Sequence, residues 1–337
     1  MRLTARIPAA ALAASLALAA CGSSTPAPTP TPTPPPDAPT VLSGAAKATY
    51  PSKLEITLGG SYTAAGATTS LPDGLLVVDI DTAAGAGKVH LAVPASLLGA
   101  GGAATLAQLG ITGDSITFDL LYDGKAVYAK SPALPALVTQ LAVLAQGVTM
   151  PQVGPDTWAR LLDEATLKQF AGLAAGAVAS AAPSASVGPT DLKTMLDQMG
   201  GSVSLGTQTT GPGGPAYDVK LTIDPAKAQA YMAAHPEQFP TSQVQSLSAV
   251  GQLSSISADV LVDAATSRVE QVTLSMAATQ SGAPVSASLK IGIAEAPAGV
   301  SFDAPANAVD LPLAKILAPL IQSMMGSGGL PIPTAAP

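Results

Sequence analysis

From Leu54 onward the chain alternates apolar and polar residues in short runs, the period-two pattern of strands with one dry face and one wet face. Leu54, Ile56 and Leu58 share a face, as do Leu76, Val78 and Ile80, and then Val89, Leu91 and Val93. Their neighbours include Lys53, Glu55, Asp79, Asp81, Lys88 and His90, which read as a solvated face. Ile116, Phe118, Leu120 and Tyr122 continue the alternation, and Asp123-Gly124 ahead of residues 125–129 predicts a hairpin turn.

The rhythm then changes. Leu134, Leu137, Val138, Leu141 and Leu144 recur at helical spacing within residues 132–147, and residues 166–182 and 190–199 repeat it. Asp156 is placed to cap a short helical segment at 158–164, and residues 41–49 predict another short helix. Strands return at 202–210 and 216–224 around a Gly-Pro-Gly-Gly-Pro turn, with Tyr217, Val219, Leu221 and Ile223 on one face. Asp224-Pro225 has the form of an N-cap followed by proline at the first helical position, predicting a helix to Ala234 that His235-Pro236 stops. A helical stretch at 241–250 and a closing meander at 256–262, 268–277, 285–293 and 299–302 complete the pattern. Strands, helices, strands, a helix and strands again make an α+β fold on one curved antiparallel sheet.

The first forty residues stand apart from this pattern. A start containing Arg2 and Arg6, an apolar run from Ile7 to Leu18 and small residues ahead of Cys21 describe a secretory leader, too short to span a bilayer. Leu18-Ala19-Ala20-Cys21 resembles the lipobox of bacterial lipoproteins, and Cys21 is the only cysteine in the chain. That resemblance implies removal of residues 1–20, a diacylglyceryl group on the Cys21 sulfur and a further N-acyl chain such as palmitate. It places the protein outside the cytoplasm, anchored to the outer face of the cell membrane, where two or three acyl chains hold far better than one. Residues 21–40 are rich in proline and threonine and form neither helix nor ladder, because proline fixes φ and lacks a donor. Extended at about 3.1 Å per residue, the stretch from Cys21 to Pro39 reaches roughly 55 Å from the lipid surface.

Composition narrows the function. The formal charge is −7, and losing Arg2 and Arg6 with the leader makes the remainder more acidic, which argues against nucleic acid as a partner. No cysteine is left for a disulfide, so stability must come from a core that residues 41–305 are long enough to build. In the segment 306–337, residues 311–325 are apolar apart from Lys315 and Gln322 and are interrupted by Pro312 and Pro319. They are too short to span a membrane, and they suit roofing a cavity, docking on a membrane or completing a core. The remaining residues to 337 read as a flexible tail.

Catalytic signals are weak. His90 and His235 have no HxH, HExxH or cysteine cluster beside them. The carboxylate pairs Asp79/Asp81 and Asp163/Glu164 fit solvated faces, and no Gly-x-Ser-x-Gly elbow or phosphate loop is present. The expectation is a protein that is not an enzyme and needs no cofactor or metal.

A family resemblance gives the pattern a direction. Tyr122-Asp123-Gly124-Lys125-Ala126-Val127-Tyr128, Trp158, Ala216-Tyr217-Asp218-Val219-Lys220-Leu221 leading into Asp224-Pro225, and Ala258–Asp263 through Arg268–Val272 resemble the mycobacterial LprG- and LppX-like lipoproteins, a group similar to LolA and LolB. The resemblance implies an antiparallel half-barrel whose concave apolar face is covered by helices. It also implies a cavity for acyl lipid or lipoglycan, carriage of that lipid within the cell envelope as a monomer, and an envelope transport partner. Leu54, Ile56, Ile116, Phe118, Leu120, Val219, Leu221, Val260, Leu274 and Leu289 are the candidate lining. Alternation shows which face is dry, not whether the space beside it is empty. A sensory, adhesive or scaffolding envelope protein with a filled core satisfies the same pattern.

Overall fold

The computed structural model describes residues 36–64, 66–99, 101–144, 148–167, 194, 196–235, 253–280 and 282–313. The leader, Cys21, most of the tether, most of the helix expected at 166–182, the first residues of the one at 190–199, all of the one at 241–250, and the tail from residue 314 lie outside the described residues; residues 194 and 196–198, which are described, are helical as the sequence predicts.

In chain order the elements are α1 (Ala38–Ala45), β1 (Lys53–Ala64), β2 (Ala67–Asp81), β3 (Ala86–Pro94), a 3₁₀ turn (Ala95–Leu98), α2 (Gly102–Gln108), β4 (Ser115–Tyr122), β5 (Val127–Lys130), α3 (Leu134–Leu144), β6 (Ala159–Leu162), β7 (Ser202–Leu205), β8 (Thr209–Gly211), β9 (Gly214–Ile223), α4 (Pro225–Ala234), β10 (Leu253–Asp263), β11 (Val269–Gln280), β12 (Ala283–Glu295) and β13 (Val309–Asp310). The fold is mixed α+β and dominated by antiparallel sheet that does not close on itself.

Contacts divide the chain into two compact units, 1–77 with 180–297 and 78–179 with 298–337. In the first, the hydrogen-bonded order is β2-β1-β12-β11-β10-β9-β7, with β8 also on β9. In the second it is β2-β3-β4-β5-β6-β13, so β2 belongs to both. The β13–β6 pair is parallel.

Local chemistry explains where the helices begin. Asp37 caps α1 by accepting the Thr40 amide at 2.9 Å, and proline follows in the first turn, so α1 starts at Ala38 and not at the expected Val41, and residues 38–40 of the expected tether are helical because proline suits a helix's first turn. Asp224 caps α4 in the same way, accepting from Ala226 N at 2.9 Å and Lys227 N at 3.2 Å ahead of Pro225, as the sequence predicts. Helix α3 falls within its expected stretch.

Other expectations change. Within the expected helical segment at 158–164, residues 159–162 form strand β6 instead, because Leu162 and Ala159 pair with Val127 and Ala129 of β5 and Val309 pairs on the other side. Four residues of intrinsic helical rhythm are outweighed by ladder bonds on both edges. Residues 299–302 form no strand, and the chain's last described strand is β13. Strand β2 begins at Ala67, well before the apolar alternation at Leu76, because its exposed threonine-rich start is held by pairing with β1, including Thr63 Oγ1 to Thr68 Oγ1 at 2.9 Å.

Each unit has its own core. In the first, α1 buries Ala38, Val41 and Ala45 against Val219, Val260 and Val262, while Leu196, Met199, Ala228 and Met232 form a neighbouring cluster. In the second, Leu106, Ile111, Ile116 and Ala133 make one cluster, Leu134, Val138, Val153, Ala159 and Leu311 another, and Leu121, Ala126 and Tyr128 a third beside Trp158 and Phe302. Leu311, the first residue of the apolar C-terminal stretch, thus completes a core.

Candidate functional site

Strand register carries one apolar row across five strands of the first unit. Val219 lies opposite Val260, Val260 opposite Val272, Val272 opposite Ile291, and Ile291 opposite Leu58. The next row runs Leu221, Ala258, Leu274, Leu289 and Gly60. Directly opposed residues in a ladder point to the same side, so these rows and residues two positions along form one face. Leu54 and Ile56 extend it along β1 beyond Leu58, facing Glu295 and Ile293 of β12. The intervening positions, among them Thr57, Lys290, Thr273, Asp259 and Lys220, form the polar side.

Leu54, Ile56, Val219, Leu221, Val260, Leu274 and Leu289 of the expected lining therefore share this face. Leu58, Val272 and Ile291 belong to it as well, and the alternation around them was the available signal.

Cover over the face is uneven among the described residues. Helix α1 seals Val219, which is fully buried, and Val260 at 9% exposure, while α4 and residues 196–199 pack against Val203, Leu221 and Ile223. Leu54, Ile56, Leu274 and Leu289 are only half-buried and join none of the buried clusters. The apolar surface thus passes from a sealed end over β9 and β10 to a thinly covered end over β11, β12 and β1.

The three remaining lining candidates lie in the second unit. Ile116 is buried and Phe118 packs beside it, both against Leu106, Ile111 and Ala133, where α2 fills the space. Leu120 is 39% exposed, whereas Leu121 is buried on the opposite side of β4 beside Tyr128. Sequence reading missed α2 and its anchor Leu106, since glycines and alanines around it mask the helical period.

Polar candidates sort differently from expectation. Asp79 and Asp81, expected on a wet face, are each only 8% exposed. The cause is local: Asp81 turns inward to accept from Ala83 N and Ala84 N at 3.0 and 2.9 Å in the β2–β3 turn. Asp79 keeps one oxygen without a partner, and burial raises its pKa although Lys88 opposes the shift. Asp163 is an exposed cap that accepts from Thr166 N at 2.8 Å. Asp123 closes the β4–β5 turn: burial works against its charged form, but bonds from the Ala126 and Lys125 amides and the Tyr128 hydroxyl outweigh it and lower its pKa.

The histidines are held separately. His90 Nδ1 lies 2.7 Å from Asp119 Oδ1, in a cross-strand row with Lys130, whose Nζ lies 5.6 Å from the centre of the Trp158 ring. His235 ends α4 with Nδ1 at 2.8 Å from Tyr231 O and its ring 4.2 Å from that of Tyr231. Among the described residues no three His, Cys, Asp or Glu side chains gather to hold a metal. An open cleft lined by Thr57, Gly59, Asp73 and Lys290 lies on the polar side, where Lys290 pairs with Asp73 at 2.8 Å.

Comparisons with known proteins add little to this geometry. No family model and no curated protein matches the sequence. Among solved structures, a DUF1329 family protein from Desulfovibrio piger is 9% identical over 76% of this chain and 91% of its own length, with a TM-score of 0.16, too low to indicate a shared fold. Among the described residues no helix is long and apolar enough to cross a membrane.

Proposed function

We propose that this protein is a membrane-anchored lipoprotein that holds acyl chains of a lipid or lipoglycan against the apolar sheet face of its first unit and carries them in the cell envelope. The observation that supports this most is the half-covered row around Leu274 and Leu289, apolar side chains aligned across strands yet outside the buried clusters. Aligned apolar surface that is neither sealed nor scattered marks a binding site more often than a core. Small residues in the same row, Ala258 and Gly60, leave width for a chain beside the leucines.

In this reading the sheet is the wall of a LolA-like half-barrel and α1 and α4 are part of its roof, as the resemblance to LprG- and LppX-like lipoproteins implies. Cys21 supplies the lipid anchor, the tether that ends where Asp37 caps α1 sets the reach, and the protein works on the outer face of the cell membrane with a transport partner. Transfer is passive: each methylene moved from bilayer to protein gains about 0.8 kcal/mol from burial, offsetting a similar loss on extraction. No bond is made or broken, so no catalytic group is required.

A scaffolding protein is the second reading, favoured by the filled cluster of Leu106, Ile111, Ile116 and Ala133 in the second unit. Native mass spectrometry of the chain from Cys21 onward, produced without acylation in a lipid-containing host, separates the two. Co-purified lipid, or uptake of a fluorescent fatty acid after delipidation, is expected. A chain that carries none and takes up none is a scaffold.

A further inference from the structure

Glu270 sits at an irregularity of β11. The register against β10 shifts between the Leu261–Gln271 and Val262–Val269 pairs, leaving Glu270 as the extra residue. Such a bulge re-aims a side chain. Here it carries the carboxyl to the β8–β9 turn, where Gly213 N donates to Oε1 at 2.8 Å.

Asp263, at the end of β10, shares the same small space. A Cβ on Gly213 would overlap Glu270 Oε1 and lie 3.6 Å from Asp263 Oδ2, and one on Gly211 would overlap Glu270 Oε2. Glycine at both positions is what allows the turn to close over the pair. Each carboxyl residue is only 8% exposed. Asp263 Oδ1 is occupied by Ala265 N at 3.1 Å, Thr266 N at 2.6 Å and Thr266 Oγ1 at 2.7 Å. Glu270 Oε2 is buried without any partner.

Cationic side chains do not resolve this. Arg268 is the charged neighbour; it favours the ionised form of Asp263, but its Nε donates to Thr49 O at 2.7 Å. Among the described residues no lysine or arginine pairs with Glu270. Two adjoining buried carboxyl groups, one with an orphaned oxygen, call for a cation or a proton.

We propose that the carboxyl groups of Glu270, with its unpartnered Oε2, and Asp263 together hold a hard divalent cation, calcium or magnesium, between the β8–β9 and β10–β11 turns. Oxygen ligands select a hard ion, and with two carboxylates from the protein the other positions are filled by water. The short ligand set places the dissociation constant at roughly 10⁻⁴–10⁻³ M, the range of extracellular calcium modules. The ion ties together two hairpin tips next to the start of the domain, where Val269 N donates to Tyr50 Oη at 2.9 Å.

The test uses the full-length protein in detergent at neutral pH, with equilibrium dialysis against radioactive calcium and thermal unfolding in EDTA, calcium or magnesium. Wild type is expected to bind an ion and unfold at higher temperature with millimolar metal. Glu270→Gln keeps an oxygen for Gly213 N, and it should bind calcium about tenfold more weakly or worse and lose the metal-dependent gain. Asp263→Asn, which retains an acceptor for the turn amides, should behave likewise. The proposal is overturned if metal leaves wild type unchanged or shifts wild type and Glu270→Gln equally. It is also overturned if the wild-type unfolding temperature simply falls as pH rises, the variant stays flat and neither responds to metal, the signature of a protonated Glu270.

Discussion

Val219 of β9 stands directly opposite Val260 of β10, and both lie under α1, whereas two strands farther on Leu289 is half-buried and outside the clusters that α1 and α4 build. Among the described residues the same apolar face is thus sealed at one end and only partly covered at the other. Val219→Ala should cost about 2 kcal/mol of stability, measured by denaturant unfolding, because it opens a hole in a sealed core.

Leu274→Asp should act the other way round. Its site is not fully enclosed, so the domain still folds, while a carboxylate in the middle of the apolar row should weaken fluorescent fatty-acid uptake by about tenfold or more. Equal loss of uptake in the unsealed and sealed variants, after correction for the folded fraction, would sink the lipid-face assignment.

Gly60 occupies a backbone position that other residues resist. Its φ is +148°, and a Cβ there would run into the Ser288 carbonyl of the paired strand. Gly60→Ala should therefore destabilise by about 2 kcal/mol or more, read as a lower unfolding midpoint.

Asp79 gives a pH signature of unusual sign. Its folded pKa is raised by burial above the ordinary 3.8. The folded state therefore holds this proton more tightly than the unfolded chain, and stability falls as pH rises from the unfolded value through the folded one. Asp79→Asn should unfold at higher temperature than wild type at pH 7, by on the order of 1 kcal/mol in stability, with no such advantage near pH 3. Asp123, whose pKa is lowered, contributes with the opposite sign: its stabilisation is present above the unfolded value and is lost as pH falls through the folded one.

Cys21→Ser should release the protein from the membrane fraction. In the proposed anchoring the acyl group is carried on the Cys21 thiol, so a serine there leaves the chain without it. Retention of the variant in the membrane pellet would place the anchor elsewhere.

Much of the sheet was legible in advance because one-sided burial writes itself as alternation. Leu54, Ile56 and Leu58, or Val219, Leu221 and Ile223, predict their strands since a one-residue slip would turn every side chain over. The Asp224-Pro225 cap was equally readable, being settled within four residues. Strand β6 and residue Glu270 were not, since pairing partners far along the chain decide each of them. Asp81 reads as wet for a related reason, as local polarity does not register a turn that folds its carboxylate inward; the burial of Asp79 beside it left no local sign either.

Sequence alone determined the dry side of most strands and the capped start of α4, both of which follow from neighbours within a few residues; the expectation of a leader and a lipidated Cys21 rests on the same local kind of signal. Tertiary structure decided which strands lie side by side, where α1 seals the apolar face and where it stops, and that Glu270 meets Asp263 beneath a glycine turn. Those outcomes come from contacts between distant segments, whose free energy is shared among partners and leaves no signature in any one stretch of chain.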